Sequence, residues 1–358
     1  MNSFPLKILF VTTEAEPFAQ VGGLGAVMHA LPKALKELGH DVRLMIPRYL
    51  QIEDAKWHLQ MEHEGLKVPT NNDKGAKAMI CNVKRHDADS GLGAPVVTYF
   101  LENMEYYEQR ANVYGYADDV VRWILLSRGV LEFLKVSQWL PDVLVCSDWH
   151  TGFLPNLLKT FYRDDPKLSA MPVVHSIHNL ASQMSRLKHR FVSKEDIDDG
   201  VSLLPPLEDP ALYKLNGMKR GIIYADVNNT VSQTYAKEIT TPEYGEGLDT
   251  LLRKKSEQGQ LFGILNGLDY SLWDPAGDKF IKYPFSAKNL AARIQNKAVL
   301  QERFELPAGE DFFVMGIVTR MVPQKGIDLL QPIIRALLND LPIQLVAVGE
   351  GETGIMDF

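Results

Sequence analysis

Short runs of consecutive apolar, mostly β-branched residues alternate along this chain with segments whose apolar positions recur at helical spacing. Residues 7–13 form the first such run and read as a strand buried on both faces. Residues 14–25 read as a loop, and residues 24–38 as an amphipathic helix stopped by Gly39. Residues 41–46 give a second strand, so this stretch is one βαβ unit with a right-handed crossover and parallel strands. The same alternation predicts strands over 142–147, 173–177, 225–232, 312–318 and 343–348. Helices are expected over 153–162, 233–239 and 329–341. Turn residues Asn71-Asn72-Asp73 and Gly91-Leu92-Gly93 mark a β insertion over 68–100. No fixed-period repeat is present, which excludes a solenoid.

A Gly/Asn/Pro-rich stretch over 261–275 interrupts the pattern and marks a boundary. Residues 1–262 are expected to form one large α/β domain and 263–358 a hinge and a second one. The second part holds only two convincing strands, too few for an independent sheet, so it is expected to be incomplete, with its apolar strand faces exposed. A length of 358 residues suits two cores. Hydrophobic content of 46% and charged content of 23% are those of a globular protein. A net charge of -7, from 45 acidic and 38 basic residues, disfavours nucleic acid as a partner. The two cysteines, Cys81 and Cys146, have no CxxC spacing, so neither a zinc ribbon nor a disulfide framework is expected and a reducing cytoplasm is the simplest setting. No basic-then-apolar leader and no run of about 18 apolar residues appears, and no membrane partner is expected.

Three constellations could carry chemistry. Gln20-Val21-Gly22-Gly23-Leu24-Gly25 lies between a strand and a helix, where backbone N–H groups and the helix dipole favour an anion. It is not a dinucleotide fingerprint, since Met28 stands at the third glycine position and the second strand ends in Ile46-Pro47-Arg48. The competing reading is a turn needing glycine only for its dihedrals. Asp148-Trp149-His150-Thr151-Gly152 and His178-Asn179 follow two strands, where open α/β sheets bind ligands, so His150, His175, His178 and Asn179 are expected to face one crevice. Metal-ligand spacing is lacking, and hydrogen bonding to hydroxyls suits these groups better. Arg320 and Lys325 also follow a strand and can stabilise a departing diphosphate; the bland reading is two solvated charges.

Taken together, these stretches resemble the bacterial glycogen synthase and plant starch synthase family. The resemblance rests on residues 14–25, Tyr114-Gly115-Tyr116-Ala117-Asp118-Asp119, residues 148–152, His178-Asn179-Leu180-Ala181, residues 231–239, Tyr244-Gly245-Glu246-Gly247-Leu248, Leu265-Asn266-Gly267-Leu268-Asp269 and residues 320–326. It implies two Rossmann-like domains of the GT-B glycosyltransferase type closing over a cleft, the second truncated at Phe358. It also implies ADP-glucose as donor and the non-reducing end of an α-1,4-glucan as acceptor, with retention at the anomeric carbon and no metal or other cofactor. By the same resemblance Gly22 and Gly23 would line the donor phosphates, His150 the transferred glucose and Asn266 the donor side near the hinge. Arg320 and Lys325 would hold the diphosphate. A complementing C-terminal fragment is a further expected partner. The sequence departs from the family pattern at Gln20 for Lys, Ala26 for Asp and Met184 for Gly. These departures motivate a second expectation, a glucan-binding or regulatory homologue, and a third, a related transferase using another nucleotide sugar.

Overall fold

The computed structural model describes residues 4–73, 77–88, 91–180 and 198–358. The chain divides into two compact units, Met1–Gly267 and Leu268–Phe358. Strands of the first unit are β1 (Lys7–Val11), β2 (Asp41–Pro47), β3 (Gln60–Pro69), β4 (Ala78–His86), β5 (Val97–Glu102), β6 (Val143–Ser147), β7 (Val173–Ile177), β8 (Val227–Thr230) and β9 (Leu261–Gly263). Its helices are α1 (Gly23–Glu37), α2 (Asp54–Trp57), α3 (Asp119–Val136), α4 (Asp148–Thr151), α5 (Phe153–Lys159), α6 (Gly217–Tyr224), α7 (Gln233–Glu238) and α8 (Asp249–Glu257).

The strands form one sheet in the order β3-β4-β5-β2-β1-β6-β7-β8-β9. From β5 to β9 every pairing is parallel, while β3 and β4 add an antiparallel edge. After β1 the chain winds outward to β2, then returns to lay β6 on the other side of β1, with Ile8 paired to both Val42 and Val143. That reversal makes the carboxyl ends of β1 and β6 the switch point where such sheets open a crevice.

The absence of apolar–polar alternation in these strands has a direct cause. Leu9, Val11, Leu144 and Cys146 face one core, which α3 to α6 cover. Ile8, Phe10, Leu44 and Ile46 face another, with Phe18, Met28, Trp57 and Phe100. Both faces are dry, so both must be apolar.

Several elements differ from the sequence expectation. The β insertion begins at Gln60 and belongs to the main sheet through the β4–β5 pairing. Helix α3, which the apolar spacing did not mark, is buried on all sides and so carries no amphipathic stripe. Leu261–Gly263 is the ninth strand, with Thr230 paired to Gly263. The helix expected over 329–341 is two, α10 (Ile327–Leu330) and α11 (Ile334–Asp340), which follow α9 (Ala292–Arg303) and precede α12 (Thr353–Met356).

The second unit holds a two-stranded parallel sheet of β10 (Phe313–Val318) and β11 (Ile343–Val348). Phe313 and Val318 are exposed. Among the described residues no helix is long and apolar enough to cross a membrane.

Candidate active site

The segment joining β1 to α1 is anchored before it is exposed. Ala15, Phe18 and Ala19 are buried, and the Phe18 ring meets Trp57 and Phe100 edge-on at 4.7 and 4.9 Å. Only Gln20, Val21, Gly22 and Gly23 reach the surface. The loop's N–H groups are not all free for an outside anion, as the sequence alone suggests. The buried Glu14 carboxylate accepts from Val21 N at 2.7 Å and Gly22 N at 2.8 Å through one oxygen, Oε2. Its other oxygen accepts from the Tyr114 hydroxyl at 2.6 Å. A carboxylate at this end of α1 also suits the helix dipole.

The three glycines of the loop serve different ends. A Cβ on Gly25 would stand 3.0 Å from the Gln20 side chain, so Gly25 is a packing glycine. Gly22 has φ -145°, extended backbone open to any residue, and a Cβ on Gly22 or Gly23 would meet nothing within 4 Å. Neither dihedral nor packing asks for glycine at 22 and 23. What their bareness permits is close approach of something to the backbone.

Across the switch point, β6 runs into the tight turn of α4. Asp148 takes a left-handed conformation with φ 52°, and its Oδ1 accepts from His178 N at 2.8 Å and Asn179 N at 3.2 Å. The turn after β6 is thereby pinned to the turn after β7. Burial pushes the Asp148 carboxyl above its usual range, against the pull of His178 and these N–H groups. His150 follows on α4, its ring 4.9 Å from Tyr114 and 5.5 Å from Trp123. Burial, with the nearby Arg122 charge, lowers its pKa to about 3, so the imidazole is neutral at physiological pH. His150 Nδ1 and His178 Nε2 are buried without a hydrogen-bond partner. Two buried ring nitrogens left without a partner at the ends of neighbouring strands are groups that a hydroxylated ligand would satisfy.

His175 does not join them. It is fully buried, with Nε2 3.0 Å from the Asp148 carbonyl oxygen and Nδ1 3.3 Å from Asn228 Oδ1, so it ties β6, β7 and β8 together below the crevice. Burial holds its pKa down. Close backbone packing fixes α4 from behind: a Cβ on Gly152 would stand 2.0 Å from the Gly217 carbonyl oxygen, and one on Gly221 2.7 Å from the His175 ring. Helix α6 is itself locked by the buried Asp198–Arg220 pair at 2.7 Å.

The remaining candidates lie further along the chain. Asn266 is exposed at the end of the first unit. In the second unit Arg320 and Lys325 are exposed on the strap after β10, where Met321 N donates to the Glu350 carbonyl at 2.8 Å and Glu352 N to the Met321 carbonyl at 2.9 Å. Gly326, at φ 75°, closes the turn after Lys325 in a conformation that favours glycine. Met184 lies outside the described residues.

A mostly parallel, doubly wound sheet with a bare glycine loop and open imidazole nitrogens at its switch point defines an α/β ligand-binding domain of the kind nucleotide-dependent enzymes use. The family model for the starch synthase catalytic domain matches residues 7–254, and the chain belongs to that family. It is a hexosyltransferase of the GT-B type. The glycogen synthase of Moorella thermoacetica is 38% identical over 352 residues, covering 97% of this chain and 68% of that one. The glycogen synthase of Thermotoga maritima is 38% identical over 351 residues, covering 97% and 69%. Among solved structures, the catalytic domain of starch synthase IV from Arabidopsis thaliana, bound to ADP and acarbose, aligns with a TM-score of 0.80 at 29% identity, over 98% of this chain and 70% of that one.

Proposed function

We propose that this chain transfers glucose from ADP-glucose to the non-reducing end of an α-1,4-glucan with retention of anomeric configuration. The observation that carries the reading is the pair Gly22 and Gly23, bare for no internal reason after β1, together with the unpartnered nitrogens of His150 and His178 after β6 and β7. Family membership and the ADP and acarbose held by the starch synthase IV domain support it.

In this reading the backbone at 22–23 lies against the donor phosphates. The open nitrogens of His150 and His178 hydrogen-bond sugar hydroxyls, and the neutral His150 does so without placing a positive charge beside the carbon where cationic character develops. The bond between the anomeric carbon and the diphosphate oxygen breaks. The acceptor hydroxyl oxygen then bonds that carbon on the same face, and its proton passes to the departing phosphate. Arg320 and Lys325 are the cations assigned to the diphosphate, and Asn266 is assigned to the donor side. Asn179 and Gln20 complete the set, Gln20 as a hydrogen-bonding amide that cannot neutralise charge.

Incorporation of labelled glucose from ADP-glucose into maltoheptaose tests this, with UDP-glucose run in parallel. Transfer from ADP-glucose supports the reading; transfer from UDP-glucose alone assigns a different donor. One observation favours a second reading, a glucan-binding homologue without transfer: Gln20 leaves the Glu14 carboxylate beside the donor loop with no lysine at position 20 to offset it. Maltoheptaose binding with no transfer from either donor would select that reading.

A further inference from the structure

Glu14 and Tyr114 sit between the two halves of the site and have no assigned part in it. We infer that Glu14 is a positioning residue that sets the glycine loop for the donor phosphates and, through Tyr114, ties that loop to His150. The inference rests on the proposed transferase reading for its kinetic consequence, though not for its structural one.

The chain of contacts is continuous. Val21 N and Gly22 N donate to Glu14 Oε2, and Tyr114 Oη donates its single proton to Glu14 Oε1. Because that proton is committed, the 2.6 Å contact between Thr13 Oγ1 and Tyr114 Oη has the threonine as donor. Burial and the adjacent Glu14 push the Tyr114 hydroxyl well above its usual pKa, which keeps the proton in place. The Tyr114 ring lies 4.9 Å from His150, its plane tilted by 34°. Tyr114 is itself held from behind, since Gly115 N donates to Asp119 Oδ2 at 2.9 Å and Asp119 pairs with the buried Arg122 at 2.6 Å. A carboxylate bonded in this way fixes the orientation of two peptide units of an otherwise exposed loop, so the backbone facing a ligand is organised before the ligand arrives.

The alternative role for a carboxylate here is purely electrostatic, as a negative charge repelling phosphates. The two roles predict opposite outcomes. Glu14→Gln keeps an acceptor oxygen for Val21 and Gly22 and loses the charge; Glu14→Ala loses both. Under the positioning role, Glu14→Ala in the full chain raises the exchange of the Val21 and Gly22 amide hydrogens about tenfold or more, since a charge-assisted bond is removed from each. It raises the KM for ADP-glucose with maltoheptaose affinity unchanged, and Glu14→Gln returns both toward wild type. Tyr114→Phe, which keeps the ring against His150, shifts exchange and KM in the same direction by a smaller factor. Wild-type exchange in Glu14→Ala, or a lowered KM in both Glu14 variants, overturns the inference. A wild-type chain that transfers no glucose refutes the transferase reading instead. The strut is then judged on exchange alone, where a raised rate in Glu14→Ala restored by Glu14→Gln upholds it and an unchanged rate removes it.

Discussion

Replacing Gly23 by alanine separates a glycine kept for folding from one kept for a ligand. Gly23 opens α1 without a positive φ, and a Cβ there meets no atom within 4 Å. The methyl group therefore introduces no clash, and restricting the unfolded chain should stabilise the first unit by about 0.4–1 kcal/mol. For a unit of this size that raises Tm by about 1–3 °C. If donor phosphates lie against the backbone at 22–23, the same methyl holds them off, weakening one or two charge-assisted hydrogen bonds of about 1.5–3 kcal/mol each. ADP affinity should then fall about tenfold to a hundredfold. Thermal melting and calorimetric titration with ADP on the same preparation measure both quantities. A variant that melts no lower than wild type yet binds ADP far more weakly is the expected result. Unchanged ADP affinity would refute the argument that this backbone is bare for the donor, and a lowered Tm would refute the claim that the position is free of packing.

Gln20→Lys restores a cation beside the donor loop and should tighten ADP binding about fivefold at low ionic strength, worth about 1 kcal/mol, with the gain fading as salt rises; equal affinity at low salt would count against a phosphate at this loop. The unfolded chain protonates His150 near pH 6.5 whereas the native ring resists to about pH 3, so stability should fall on acidification below pH 6.5, by up to about 1.4 kcal/mol per pH unit for this group. Urea titrations at pH 7 and pH 5 should show a smaller loss for His150→Gln, the remainder including His175, and an identical loss would contradict a buried neutral ring. Arg220→Met takes the guanidinium away from the buried Asp198 carboxylate and should cost about 3–5 kcal/mol by urea unfolding, an effect below 1 kcal/mol being incompatible with the buried pair. Gly152→Ala drives a methyl into the Gly217 carbonyl and should cost about 3 kcal/mol, the top of the overpacking range, and near-wild-type stability would mean α4 and α6 are not in backbone contact.

The sheet was legible because its strands are buried on both faces. Residues 8–11 and 143–146 read as unbroken apolar runs that no surface helix would show. Helix α3 escaped notice for the same physical reason turned around: with apolar residues on every side and Arg122 and Arg128 sunk among them, it has no polar stripe from which a period could be read. The antiparallel edge was placed too narrowly because β3 is mostly exposed over its first six residues and lacks an apolar signature there. At the site, strand-end position drew attention to the segments 20–25, 148–152 and 178–179, which follow β1, β6 and β7. It could not distinguish His175, inside β7 with its ring in the core, from His178 in the turn after it, since three residues of a short strand and its turn span both environments. Glu14 and Tyr114 are a hundred positions apart, and only the fold brings them within 2.6 Å. A signal was present all the same, in an acid directly after a buried strand and a Tyr-Gly-Tyr turn, where a buried carboxylate must find partners.

Calorimetric titration of the 358-residue chain with ADP-glucose, beside UDP-glucose and maltoheptaose, tests the central claim most directly. Saturable binding of ADP-glucose, weakened about tenfold to a hundredfold in Gly23→Ala, is the expected result. Binding of maltoheptaose with no heat from either nucleotide sugar would contradict it.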